Sequence, residues 1–455
     1  MSEKFMYHDL DDLRKDIVQR GVNIQVSEDL SPLGRPVVIG KLTAPNSLAV
    51  LPMEGCDANP DGSPSPLVFR RYHRFAAGGA GLLWGEANAV VPEGRANSLQ
   101  LMLTPDNKAS FKELVTSSKQ VALESNATVP VMILQLTHSG RYSRPIGHKP
   151  APLVPQRDPI LDARSGVVDD SAVVSDAYLD SLIPAYVHSA LLAKEAGFDG
   201  VDIKACHRYL LSELLASHIR KGKYGGSFEN RTRLLLTIVE EVRKAVGPDF
   251  IIACRFNVFD AHPYPYGFGC AKDDMWKFES EEPQRLVNEL VKRGIDLLSN
   301  SAGNPYYIYP QVTRPFDTSS MGIPTPEEHQ LVSIERLFAF SEVVQKAAGT
   351  VPVVGNGYTW LRQFLPYVGS ANLASGRVSM IGLGRSSFAY PDAPSDILNS
   401  GKMDPKKVCI SCSKCTQIMR DHGTTGCVIR DSVLYAPLAK KFREEALLRE
   451  TPASK

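Results

Sequence analysis

Four of the eight cysteines crowd together as Cys409, Cys412, Cys415 and Cys427, with two, two and eleven residues between them. Thiolates at this density suit iron–sulfur ligation or zinc. Structural zinc usually takes two separated Cys-x2-Cys knuckles, so three cysteines within one short run fit a [4Fe-4S] cubane better. A second chemical cluster lies in "VDIKACHRYLL", where Lys204, His207 and Tyr209 follow an apolar run. An ammonium and an imidazole aimed at one oxygen stabilise negative charge that develops there. A phenol can hand a proton to a carbanion without being ionised beforehand. Cys206 lies between them and reads as packing; Cys56, Cys254 and Cys270 are likewise scattered and read as small hydrophobes.

Such side chains need a scaffold. Short apolar runs ("SLAVLPM", "GLLWGEANAV", "VPVMILQLTH", "DGVDIKACH", "DFIIACRFNVFD", "IDLLSNSAG", "VPVVGNGYT" and "VSMIGLGR") alternate with helical patterns such as "NRTRLLLTIVEEVRKAVG". Eight strands with intervening helices predict an α/β (β/α)8 TIM barrel. A doubly wound sheet would open with a Gly-rich turn that "LPMEGCDANPDG" lacks. Barrel active sites form at the C-terminal strand ends. Those ends hold Pro52 and Met53, Glu86, Gln135 and His138, Lys204 and His207, Arg255, Ser301, Gly355 to Gly357, and Gly384 with Arg385. The loops after strands seven and eight read "GNGYT" and "GLGRSS", whose bare backbone and guanidinium suit a phosphate-bearing cofactor. Neither is a dinucleotide fingerprint, because the third glycine is missing. His138 reads as a satisfied histidine that orders its loop. The loops "NVFDAHPYPYGFG" and "SAGNPYYIYPQVTRP" offer aromatic walls for a flat, partly apolar substrate.

The chain has 455 residues, 51 basic against 50 acidic side chains and 43% hydrophobic residues. A near-zero balance gives no nucleic-acid footprint, and no apolar run reaches membrane-span length. The charged N-terminus lacks a signal core, so a cytoplasmic location is expected. The division expected is a polar extension over 1–32, a barrel over 33–396, and a cysteine segment with a charged tail over 397–455.

"QLTHSGR", "GFDGVDIKACHRYLLSELL", "YGGSFENRTR" and "SMIGLGRSSFAYPD", in that order, resemble the old yellow enzyme family of flavoproteins. The cysteine segment resembles its branch like 2,4-dienoyl-CoA reductase and trimethylamine dehydrogenase, which implies FMN and a [4Fe-4S] cluster. By this resemblance Pro52 and Met53 lie against the flavin and Gln135 bonds its pyrimidine edge. Arg255 sits where negative charge grows on reduction, and Gly357, Gly384 and Arg385 hold the phosphate. From their strand-end positions, Glu86 and Gly355 are further candidates for cofactor binding. Lys204 and His207 occupy the substrate clamp and Tyr209 the proton donor. Lysine departs from the family's usual histidine; it favours a fuller negative charge, or it pairs with an acid such as Asp260.

The function expected is reduction of an activated C=C bond by hydride from reduced flavin. One alternative is an amine dehydrogenase that passes electrons out through the cluster; another is a non-catalytic electron-transfer subunit. The dehydrogenase needs a cage for a cationic amine, which Lys204 would repel. The subunit reading is disfavoured by intact Gln135, Arg255 and Tyr209. Cluster-bearing members often append FAD- and NAD-binding domains, and no such module is expected here. Reducing equivalents then come from NAD(P)H directly or from a separate electron-carrier protein. A small-molecule substrate is expected, self-association is left open, and neither nucleic acid nor membrane is a partner.

Overall fold

Runs rich in Val, Ile, Leu and Ala, apolar on both faces, satisfy their backbones as parallel strands covered by helices. In the computed structural model, which describes residues 5–306 and 327–450, they are β1 (Leu48–Val50), β2 (Leu82–Ala89), β3 (Val131–Thr137), β4 (Gly200–Ile203), β5 (Ile251–Phe259), β6 (Leu297–Ala302), β7 (Val353–Gly355) and β8 (Met380–Leu383). Each pairs in parallel with the next, and β8 returns to β1 to close the barrel. The eight strands are the eight expected from sequence.

The outer helices follow from spacing and caps. In the helix Phe228–Val246, Leu235, Ile238, Val239 and Val242 recur at helical spacing and are buried. Ser227 caps its start by accepting from the Asn230 N–H. A two-stranded hairpin, Val37–Ile39 with Leu42–Ala44, presses Ile39 and Ala44 against Leu82, Trp84, Val131 and Ile133. It thereby plugs the N-terminal end of the barrel and leaves the C-terminal end open for chemistry.

The N-terminal segment is more integrated than its polar count suggests. The helix Leu10–Arg20 buries Leu13 and Ile17, and Phe5 and Tyr7 set their rings edge-on to Trp360. Three or four apolar residues at the right spacing suffice to dock a helix that is otherwise charged. At the other end, Asp431 receives Arg70 at 2.8 Å and Arg74 at 2.6 Å, tying the cysteine segment to the helix Pro66–Ala77. Among the described residues no helix is long and apolar enough to cross a membrane.

Candidate active site

One large cavity opens at the C-terminal strand ends. Pro52, Met53, Gln135, Lys204, His207, Tyr209, Arg255, Gly357, Gly384 and Arg385 all line it. These residues come from six separate stretches of chain and converge because every parallel strand ends on the same side.

Behind two of its lining residues, Gln135 and Arg255, is a carboxylate not singled out from the sequence. Asp202, wholly buried in β4, accepts from Gln135 Nε2 at 2.6 Å, Trp84 Nε1 at 2.9 Å and the Arg255 backbone N–H at 2.8 Å. Burial pushes its carboxyl up to about 6, against those three donors. Its signal was a lone carboxylate in the apolar run "GVDI". One N–H of Gln135 Nε2 is taken by Asp202, and the side chain lines the cavity with its other amide groups in hand. Arg255 lines the same space, and its buried Nε has no hydrogen-bond partner among the described residues. An unsatisfied buried guanidinium group is costly unless an anionic or carbonyl group arrives to meet it.

The turn after β4 carries Lys204, His207 and Tyr209. His207 and Arg208 both take left-handed backbone, at φ 66° and 60°, a conformation that costs side-chain-bearing residues energy and needs outside support. Asn257 Oδ1 supplies it by accepting from the His207 N–H at 3.0 Å. Arg208 turns away from the cavity into a buried ionic cluster, 2.8 Å from Asp260 and 3.5 Å from Asp158. His262 shares Asp158 at 2.8 Å, and Arg141 joins Asp162 and Glu213 at 2.6 Å each. Asp260 therefore belongs to Arg208 and is not the partner of Lys204.

That partner is Glu54, the residue directly after Met53. Its Oε1 lies 3.2 Å from Lys204 Nζ and 3.4 Å from Tyr209 Oη. Lys204 also stands over the Tyr209 ring, 4.0 Å from its centroid. Tyr209 Oη is 2.7 Å from Tyr306 Oη, and Tyr306 stacks on Tyr142 at 4.0 Å between centroids. Burial first, then Glu54 and Tyr306, hold the Tyr209 phenol well above its ordinary pKa, so it stays protonated. Of the aromatic loop after β6, the residues beyond Tyr306 lie outside the described ones. His138 is buried, with Nε2 2.8 Å from Tyr178 Oη and Nδ1 accepting from the Gly140 N–H. It orders its loop, as expected.

Two expected cofactor residues sit elsewhere. Glu86 does not line the cavity: it accepts from Arg71 Nη2 at 2.6 Å and from the Gly55 N–H at 2.7 Å, while Arg71 also holds Asp57. A Cβ on Gly55 would fall 2.3 Å from both Arg71 and Asp57, so only glycine fits. This triad fixes the loop that presents Met53 and Glu54. Replacing Arg71 with methionine strands two buried carboxylates and should cost about 3–5 kcal/mol, read from urea unfolding. Gly355 likewise sits behind the cavity, where a Cβ would meet Val378 at 2.7 Å. Its bareness serves packing, whereas Gly357 faces the cavity at φ 100°.

The four cysteines Cys409, Cys412, Cys415 and Cys427 line one smaller cavity, and Cys415 and Arg385 border both. The loop bends round it by placing Ser411 and Ser413 in left-handed backbone. The Ser411 N–H donates to Cys409 Sγ at 3.4 Å and the Arg430 N–H to Cys427 Sγ at 3.3 Å. Burial raises the Cys409 thiol to about 11, while Arg385 draws it down. Among the described residues no three His, Cys, Asp or Glu side chains converge on a single metal ion. The four thiols share this space, two of them with a backbone amide aimed at sulfur.

The family model of NADH:flavin oxidoreductases and NADH oxidases matches residues 32–267. The chain belongs to this family. It is 27% identical to an NADH oxidase of Thermoanaerobacter brockii over 380 residues, 82% of this chain and 52% of that one. It is 27% identical to a cinnamate reductase of Clostridium sporogenes over 410 residues, 87% and 56% of the two chains. The chain thus spans about half the length of the curated relatives it matches. A structure of 2-naphthoyl-CoA reductase overlays with a TM-score of 0.70 at 19% identity, covering 91% of this chain and 58% of that one. The old yellow enzyme homologue of Zymomonas mobilis overlays at 0.61 and 20%, covering 82% and 94%. The barrel is thus the old yellow enzyme-like fold of this flavin oxidoreductase family.

Proposed function

We propose that this chain reduces an activated C=C bond, with FMN in the large cavity and a [4Fe-4S] cluster on the four cysteines. The observation that carries the reading is the Tyr209 phenol, held neutral in the wall that it shares with Arg255, whose buried Nε has no partner among the described residues. Arg255, the Gln135 carbonyl and the Met53 backbone would hold the flavin ring, and Gly357, Gly384 and Arg385 its phosphate. FMN bound there supplies the hydride, with NAD(P)H or a separate electron carrier as its source. Lys204 and His207 hold the substrate oxygen and stabilise the charge that grows on it. Tyr209 gives its proton to the neighbouring carbon and recovers one through Tyr306. Descent from the same family as a cinnamate reductase supports the alkene as substrate.

The Lys204–Glu54 pair adds a condition. Substrate oxygen competes with Glu54 for the ammonium, so Glu54→Gln should lower KM for an α,β-unsaturated carboxylate about tenfold. That is about 1.4 kcal/mol, in the range of one charge-assisted bond. An uncharged enone should gain less, and steady-state kinetics on both substrates checks the difference.

A second reading, oxidation of an amine, draws on the same wall. Tyr142, Tyr209 and Tyr306 cluster beside the Glu54 carboxylate, a combination that suits a cation. Because Glu54 neutralises Lys204, the ammonium repels an amine less than its sequence position suggests. Anaerobic titration separates the two: an activated alkene reoxidises the reduced flavin, whereas an amine bleaches the oxidised one.

A further inference from the structure

Beside Tyr306, at the rim of the large cavity, arginines outnumber the two carboxylates that act on the neighbouring histidines, Glu445 on His148 and Asp421 on His422. Arg420 closes the helix Lys414–Arg420, whose Met419 lines the cavity, and its Nη2 donates to the Pro305 carbonyl at 2.9 Å. Arg144 donates through Nη1 to the His148 carbonyl at 3.0 Å and lies 3.4 Å from His422 Nε2. The His148 and His422 rings stand 4.6 Å apart. Both arginines are half-buried, and neither has an ion-pair partner among the described residues. Burial lowers both guanidinium groups, and the one other group that acts on each is the Tyr306 phenol. The field here is positive: His422 falls to about 4 through burial, then through Arg144, His148 and Arg449. Both carboxylates are already paired: Asp421 with Arg443 at 3.1 Å, while Arg449 donates to the Asp421 carbonyl, and Glu445 with Lys441 at 4.0 Å.

A protein pays to desolvate two guanidinium groups unless something anionic meets them. Planar forks with free N–H groups fit phosphate oxygens best. We propose that Arg144 and Arg420, flanked by the His148–His422 pair, form an anion subsite at the cavity rim. It takes the phosphate groups of a nucleotide carried by a reactant whose other end enters the cavity. Two sources share this chemistry: a nicotinamide dinucleotide reductant and a nucleotide-bearing thioester substrate. The inference rests on the cavity being the site of hydride transfer, but binding at the rim is measurable without turnover.

The test uses FMN-loaded protein and inorganic pyrophosphate, titrated by calorimetry at low and high salt. Wild type should bind pyrophosphate, more weakly as salt rises. Arg144→Gln and Arg420→Gln should each weaken it about tenfold, the value of one charge-assisted bond. Arg144→Lys should restore part of the loss, which misfolding would not allow, and an unchanged melting temperature should accompany each variant. Equal affinity in wild type and the double glutamine variant, or no binding by wild type, would overturn the subsite. The source is then read from KM in the double variant: a rise for NADH alone marks the dinucleotide, and a rise for an enoyl-CoA thioester alone marks the substrate. If pyrophosphate binds as expected while no alkene is reduced, the subsite stands and the proposed reaction falls.

Discussion

Replacing Tyr209 with phenylalanine should lower kcat for alkene reduction by about 10²–10⁴, the usual contribution of a positioned general acid. The ring, its packing and its cation–π contact with Lys204 survive the change; only the proton is lost. The rate at which NAD(P)H bleaches the flavin should move far less, because that half of the cycle needs no proton from the phenol. Tyr306 Oη lies 2.7 Å from the lost hydroxyl, so it becomes a poorer substitute donor. Adding Tyr306→Phe should therefore reduce the residual rate again. The pH profile has a definite sign. A phenol raised above its ordinary pKa remains protonated through the neutral and mildly alkaline range. Wild-type kcat should then show no decline from Tyr209 ionisation up to pH about 10. Stopped-flow measurement of each half-reaction separates these effects.

Arg255→Met should have the second large effect, on flavin affinity. Arg255 enters the cavity with a buried Nε that nothing among the described residues satisfies, so its pairing energy is held for the ligand. Losing one or two charge-assisted hydrogen bonds, at about 1.5–3 kcal/mol each, weakens FMN binding about 10- to 100-fold or more. The apoprotein should not be destabilised and can gain stability, since methionine fills the space without an unsatisfied polar atom. Fluorescence titration of apoprotein with FMN and a urea melt of the same apoprotein give both numbers. A merely structural Arg255 would reverse the pattern, with a lower melt and unchanged FMN affinity.

The eight strands were legible because each is a short apolar run bounded by turn residues, a local property. The strand-end residues were legible for the same reason, since a parallel barrel sends every strand end to one side. What escaped was pairing between distant residues. Lys204 and Glu54 are separated by 150 positions, and nothing local to Lys204 distinguishes Glu54 from Asp260. Glu86 reads from sequence as a strand-end cavity residue, but it lies inside β2; the Arg71 and Gly55 that claim it come from the helix Pro66–Ala77 and the loop after β1. Gly355 and Gly357 share one G-x-G, yet only the backbone path shows that one faces Val378 and the other the cavity. Asp202 could have been found: a carboxylate inside an apolar strand is expensive, and its cost signals donors that need anchoring.

The central claim is hydride transfer from this cavity to an activated alkene. Its most direct test is anaerobic reoxidation of the photoreduced, FMN-loaded protein by a panel of enones, enoates and enoyl thioesters. N-methyl amines are run in parallel against the oxidised form. The account predicts that at least one alkene restores the oxidised flavin spectrum in a single turnover, and that Tyr209→Phe slows this recovery. A flavin that stays reduced with every alkene while an amine bleaches the oxidised form would contradict it.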